Sequence, residues 1–324
     1  MITPSFRREF IVRIGSLSAL LATGAALSAC GGSSDPSATP VVFNYGVASG
    51  DPLADRVILW THAKPETGSE AVELTYEVSS TVDFAALVTS GKAMATEASG
   101  YTAKGDAKRL AAGKEYFYRF KSAGGTSAVG RTRALPAAPA AEVKLAVMSC
   151  ANYPAGFFNV YAEASKSDAQ FFVHLGDYIY EYDAKGYASE TAAALGRTSD
   201  PLNETLTLSD YRKRHAQYKS DADLKVLHGR MPLIAVWDDH EVSNDTYKDG
   251  AENHTEATEG SQIKGIFEGV VDDLKWMDPS RRGYLKMTFT ATQAKGEWVF
   301  IDKIDTRSYS VLPAVAAESR VYSI

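Results

Sequence analysis

Four apolar runs in this chain each end abruptly in residues that carry chemistry, so a fold that buries the runs must decide where their ends go. Gln170-Phe171-Phe172-Val173-His174-Leu175-Gly176-Asp177 passes straight into Tyr178-Ile179-Tyr180-Glu181-Tyr182. Val143–Met148 runs into Ser149-Cys150, and Leu233–Trp237 into Asp238-Asp239-His240-Glu241. Trp298–Ile301 runs into Asp302, with Asp305-Thr306-Arg307 following. Continuous apolar runs of this length read as strands covered on both faces, as in parallel sheets packed by helices. In open α/β sheets, ligands bind outside the carboxyl ends of the strands. If the four runs lie parallel in one sheet, a thiol, a phenol, several carboxylates and an imidazole meet at one edge. Such a mixture of sulfur, oxygen and nitrogen donors suits metal ions, because bare carboxylates crowded together would repel one another. The competing reading, that each Asp caps a following helix or turn, is strong for one strand end and weak for four.

Upstream the period changes. Val72, Leu74, Tyr76 and Val78 alternate with Glu73, Thr75 and Glu77, and Tyr116, Tyr118 and Phe120 alternate with Phe117 and Arg119, the pattern of half-buried antiparallel strands. Gly113-Lys114 and Gly124-Gly125 supply turns. Residues 44–136 therefore read as an all-β sandwich resembling a fibronectin type III module, and residues 137–324, after an Ala/Pro linker, as an α/β domain. In the α/β part, Phe157, Tyr161 and Ala164 predict one helix face. Ser209 or Asp210 predicts the cap of a second helix with a stripe of Tyr211, His215 and Tyr218. His215 and His228 read as core residues, His62 as a surface residue and Asp51 as a turn residue. The excursions 183–208 and 247–269 are long enough to build or cover a site.

Residues 1–30 read as an export signal. Arg7-Arg8 precede the apolar run Ile14–Leu27, as in Tat-exported precursors, and Leu27-Ser28-Ala29-Cys30 resembles a bacterial lipobox, which makes Cys30 the lipidated residue. The run is too short and too rich in Ala, Gly and Ser to span a bilayer comfortably. Residues 31–43 follow as a Gly/Ser/Pro tether. The expected product is exported, periplasmic or at the cell surface, held to a bacterial membrane by a lipid anchor after contact with the Tat export machinery. Cys30 and Cys150 are the two cysteines of the chain, so lipidation of the first leaves Cys150 a lone thiol, suited to metal ligation. A length of 324 residues allows two domains, and a monomer is expected. The net charge of −6 gives no sign of specific nucleic-acid binding, so any affinity for phosphate must be local.

Ser149–Gly156, His174–Tyr182 and Ala235–Glu241, in this order and spacing, resemble the PhoD-type alkaline phosphatase/phosphodiesterase family of metallophosphatases. The likeness extends from Asn44 to Arg307 and includes Gly46–Pro52 and Val57–Thr61. It implies hydrolysis of phosphomonoesters or phosphodiesters by a metal-activated water at an iron and calcium site. In that reading Asp177 bridges two metals, Cys150 and Tyr180 complete the iron side, and Asp239 serves calcium. Asp238 is a second calcium carboxylate or an outer partner, and Asn244 a further ligand. His240 contacts the phosphate or protonates the leaving group, and Arg307 is either a phosphate clamp or half of a structural ion pair.

Members of the family continue further and carry a Gly-Asp-x-His element and other late ligands, which residues 308–324 do not resemble. The expectation is therefore an incomplete, C-terminally truncated metallophosphatase domain, impaired in activity, with Trp298–Ile301 left as an exposed sheet edge. The alternative from another class is a non-catalytic, lipid-anchored binding or structural remnant of such an enzyme. A third reading is the product of an interrupted gene.

Overall fold

A computed structural model of the chain describes residues 39–245, 282–290, 292–313 and 319–323. Cys30, with the rest of the export signal, the tether up to residue 38 and the excursion 247–269 lie outside the described residues. The first strands are β1 (Val41–Val42), β2 (Val47–Gly50), β3 (Arg56–His62), β4 (Lys64–Pro65), β5 (Val72–Ser79), β6 (Leu87–Ala95), β7 (Thr102–Lys108) and β8 (Glu115–Ser122). They continue with β9 (Gly125–Thr126), β10 (Gly130–Arg133), β11 (Glu142–Met148), β12 (Phe171–His174), β13 (Leu233–Ala235), β14 (Arg282–Thr290), β15 (Gln293–Ile301) and β16 (Ser319–Ser323). The α-helices among the described residues are α1 (Asn159–Lys166), α2 (Ala192–Leu195), α3 (Leu208–Ser220) and α4 (Ala222–Arg230).

The alternation read from the sequence does set the upstream strands. Val72, Leu74, Tyr76 and Val78 of β5 and Tyr116, Tyr118 and Phe120 of β8 are buried, and their sheet runs β10-β8-β5-β6 with β9 on β8. These side chains share one core with Val47, Val57, Leu59, Ala103 and Ala107 of β2, β3 and β7. Gly105 is required here, since a Cβ at that position would lie 2.5 Å from the Tyr76 ring. The second sheet has the order β16-β15-β14-β11-β12-β13-β2-β3-β7 among the described residues. It continues across the Ala/Pro linker through the parallel pair β13 and β2, where Leu233 faces Gly50 and its carbonyl accepts the Asp51 N–H at 3.2 Å. That register sets Asp51, with φ 47°, beside the start of β13 and away from the sheet's carboxyl edge. Val41–Val42, at the end of the tether, pairs with Lys64–Pro65 as a short ribbon.

The downstream part is mixed in direction. β11, β12 and β13 are parallel in register, with Met148 opposite His174 and His174 opposite Ala235. β14, which the sequence reading missed, is inserted antiparallel to both β11 and β15. Two reversals restore the direction, so β15 ends at the same edge as β11. The third run is a strand only over Leu233–Ala235; Val236 and Trp237 are exposed. Helices α1 and α4 cover the sheet, burying Phe158, Tyr161, Ala164, Leu224 and Leu227 against Ala146, Met148 and Phe172.

Several expectations are corrected by packing. The helix face begins at Phe158 rather than at Phe157, which is half-buried before the helix. Thr207, not Ser209 or Asp210, caps α3; its hydroxyl accepts the Asp210 N–H and the Asp210 carboxylate returns a bond to the Thr207 N–H, a reciprocal capping box. On α3 the buried pair is Arg214 and Tyr218, four residues apart, so His215 falls outside the core, exposed and stacked on Tyr178 at 6.3 Å. His62 is buried instead of exposed, wedged against Tyr45 at 4.5 Å. The Trp298–Ile301 edge is covered: β16 pairs with Gln293–Glu297, Val311 bridges Ile301, and the Leu312 N–H reaches the Phe300 carbonyl at 2.9 Å. Unpaired ladder groups are satisfied there by the chain's own downstream residues.

Candidate metal centre

Two neighbouring strand ends build the site. After β11, Cys150 takes a left-handed conformation with φ 59°, and after β12, Gly176 (φ 109°) leads into Asp177 with φ 53°. The two turns are tied together, the Cys150 N–H to the Gly176 carbonyl at 3.2 Å and the Ala151 N–H to the Asp177 carbonyl at 2.8 Å. Left-handed backbone at non-glycine residues is costly and persists where the surroundings enforce it. At Asp177 the surroundings include Glu241, whose buried carboxylate accepts the N–H groups of Asp177 (3.1 Å), Tyr178 (2.5 Å) and Asp238 (2.8 Å). A Cβ at Gly176 would lie 2.4 Å from the Asp238 Cβ, so this close approach requires glycine.

The side chains converge on Asp177. The Tyr180 hydroxyl donates to Asp177 Oδ2 at 3.1 Å, while Asp177 Oδ1 is buried and without a partner. Donor atoms of Asp177, Asp239 and His240 lie within 4.8 Å of one another. The Tyr180 and His240 rings pack at 4.1 Å, and His240 Nδ1 meets Glu181 Oε2 at 2.8 Å. Burial raises the Asp177 carboxyl, with the Asp239 charge adding to it, and raises the Tyr180 phenol, with Cys150 and Asp177 adding to it. Burial likewise raises the Cys150 thiol. Burial alone would lower the His240 imidazole, but its bond to Glu181 and the charges of Glu181, Asp177 and Asp239 outweigh that and raise it. Burial thus works against the ionised forms of the thiol, the phenol and the carboxyl alike, and a bound cation works in the opposite direction. The orphaned carboxylate oxygen and the mixed sulfur, oxygen and nitrogen donors fit a metal. A cavity of about 660 Å³ opens beside them, lined by Cys150, Asn152, Phe157, Tyr180 and Tyr187.

Two family descriptions match the chain in tandem: PhoD-like phosphatase, N-terminal domain, over residues 28–136, and PhoD-like phosphatase over residues 145–266. The chain belongs to the PhoD-like phosphatase family. Alkaline phosphatase D of Bacillus subtilis (strain 168) is 38% identical to it over 250 residues, which cover 74% of this chain and 42% of that protein. The chain therefore spans less than half the length of this curated relative. A solved structure of PhoD superposes with a TM-score of 0.73 at 22% identity, covering 89% of this chain and 91% of the other. The two share the fold, mixed and antiparallel sheets with few helices.

Within this family fold, the residues singled out from sequence separate into two groups. Cys150, Asp177, Tyr180, Asp239 and His240 come together. Asp238 is exposed, and its N–H is spent on Glu241. Asn244 offers its N–H to Glu181 Oε1 at 2.6 Å and its amide to Asp245 at 3.2 Å. Arg307 is exposed, 3.5 Å from the Asp223 carboxylate and 4.7 Å over the Phe157 ring. Asp302 closes its own loop, accepting the Ser310 N–H at 2.8 Å. Sequence reasoning gave no role to Glu181, Glu241 or Arg214. Arg214 is buried and donates to the carbonyls of Tyr180, Tyr182 (2.9 Å), Asp200 (3.1 Å) and Pro201 (3.1 Å), clamping the segment that follows β12. The available signal was adjacency: Glu181 is an acid set among Tyr180 and Tyr182, and Glu241 directly follows His240.

Proposed function

We propose that the chain hydrolyses phosphate esters, monoesters or diesters, at an iron and calcium centre. The convergence of Asp177, Asp239 and His240, with Tyr180 on Asp177, carries this reading and favours it over a non-catalytic remnant. Bound metals would supply Lewis acidity toward the phosphoryl oxygens. Cys150, Asp177 and Tyr180 would hold iron, since thiolate and phenolate are strong donors to it. Asp239, with Asp238 and Asn244, would hold calcium through hard oxygens. His240, its Nδ1 engaged by Glu181, keeps Nε2 for a phosphoryl oxygen or for the leaving-group proton. For Arg307, the contact with Asp223 supports the structural ion pair over the clamp.

The export reading completes the proposal: Tat passage, lipidation at Cys30, a lipid-anchored monomer outside the cytoplasm, and the upstream strands as a fibronectin-like module. Mass spectrometry finding an unmodified Cys30 in the mature protein would overturn the anchor. The site is tested by metal analysis together with turnover of a chromogenic phosphodiester. Asp177→Asn is expected to lose both metals and turnover, because in this proposal the Asp177 carboxylate would help to hold both ions. Cys150→Ser is expected to lower iron and leave calcium nearly unchanged. Equal loss of both metals in Cys150→Ser, or full retention in Asp177→Asn, contradicts the assignment.

A further inference from the structure

A second concave site lies at the other edge of the same sheet. Its floor is formed by Gln170 and Pro232, the residues just before β12 and β13, whereas the metal centre follows the ends of those strands. The four residues of β12 alone separate the two by roughly 13 Å. The cavity measures about 190 Å³, and three arginines converge on it. Arg131 and Arg133 stand two apart on β10 and so share a face, and Arg230 arrives from the last position of α4.

Their charge is not balanced within the site. Arg131 and Arg133 share the single carboxylate of Glu115, Arg133 at 3.6 Å. Asp168, also on the wall, is held at 2.7 Å by Lys144 and at 2.7 Å by Lys286. Arg230 forms no hydrogen bond or ion pair among the described residues. A terminal arginine can serve its own helix by capping the last carbonyls, but Arg230 makes no such bond. Burial and the neighbouring charge of Arg131 push its guanidinium below the ordinary value. One further donor points to an unmet acceptor: Arg131 Nε is buried without a partner.

We propose that the cavity framed by Arg131, Arg133 and Arg230 binds a tetrahedral oxyanion, phosphate in its free or monoester form. Guanidinium forks match such anions bidentately, and charge-assisted bonds of this kind are the strong ones. An anion there gives Arg230 a counter-charge within bonding distance and gives Arg131 Nε an acceptor. The net charge of −6 supplies no general attraction, so the affinity resides in these residues. The site does not depend on the metal centre.

The test uses the purified chain with its metals. Phenylglyoxal labelling of arginines is followed peptide by peptide, with inorganic phosphate, glycerol phosphate or chloride at equal ionic strength. Phosphate is expected to slow labelling of Arg230 and Arg131 several-fold, and chloride is not. Glycerol phosphate is tested on the Asp177→Asn chain, which is not expected to hydrolyse it; protection there assigns monoesters as well, and protection by inorganic phosphate alone assigns the free ion. Calorimetric titration with phosphate should show a binding class that Asp177→Asn leaves in place and that Arg230→Ala weakens about tenfold or more, the loss of one charge-assisted contact. Identical labelling rates with phosphate and chloride on the unmodified chain would overturn the proposal, as would a phosphate-binding profile that Arg230→Ala leaves unchanged.

Discussion

Glu181 holds His240: its Oε2 meets the imidazole Nδ1 at 2.8 Å while its Oε1 takes the Asn244 N–H at 2.6 Å, and the carboxylate is 1% exposed. One buried acid thus orients the imidazole and the segment that follows it. Glu181→Ala removes the acceptor of both bonds and is expected to destabilise the chain by about 1–3 kcal/mol, with a 10–100-fold loss of metal affinity or turnover on the order seen for outer partners of metal sites. Urea unfolding and metal titration check it, and Glu181→Gln should recover part of the stability.

Gly176→Ala is expected to be poorly tolerated. The new Cβ meets Asp238 backbone and side chain at 2.4–2.5 Å, and φ 109° is a conformation that alanine resists. A loss of about 1–3 kcal/mol follows from the strained backbone alone. Urea denaturation measures it, and a wild-type midpoint would show that Gly176 and Asp238 do not approach so closely.

Arg197 and Asp221 form a buried ion pair at 2.7 Å, and Asp221 also caps α4 by accepting the Asp223 N–H at 2.9 Å. Asp221→Ala removes the cap and leaves a buried guanidinium unpaired, an expected loss of about 3–5 kcal/mol. Replacing both members by apolar residues should cost less than Asp221→Ala, because no charge is then stranded. Denaturant unfolding of the three variants decides between these outcomes.

Acid should unfold the chain earlier than its carboxylates require. Burial pushes the imidazoles of His62 and His174 down to about 4 from the ordinary 6.5, and holds His228 well below that ordinary value. The unfolded chain takes up these protons near pH 6.5, whereas in the folded chain His62 and His174 take theirs up only near 4 and His228 only well below its ordinary value. Stability therefore falls as pH drops from 6.5 toward 4 and is unaffected by these groups above 6.5. Thermal melts across that range check it. His174→Gln should flatten the slope, and an equal slope in that variant would mean that His174 does not contribute.

The strand ends before Cys150 and Asp177 were legible because a buried strand announces itself in consecutive apolar residues and its end in the first polar ones; the third run misled, since β13 stops at Ala235 with Val236 and Trp237 exposed before Asp239. The β5 and β8 faces were legible for the same reason, the period of two. β14 was not: Gly283, Lys286 and the alternating Thr288 and Thr290 dilute its apolar signal, and its pairing with β11 joins residues far apart in sequence.

Sequence by itself determined part of the local grammar of this protein: the alternating faces of β5 and β8, the apolar strands β11 and β12, and the donors that follow them. Only the tertiary structure decided the partners. Glu181 and His240 are 59 residues apart, and Glu241 reaches the Asp177 N–H across 64. His62 is buried by Tyr45 and Tyr101, and the upstream sheet joins the downstream one through Gly50 and Leu233. The physical reason is that periodicity reports a residue's exposure within its own element. Burial of a polar side chain and the hydrogen bond that permits it depend on what another element brings to the same place.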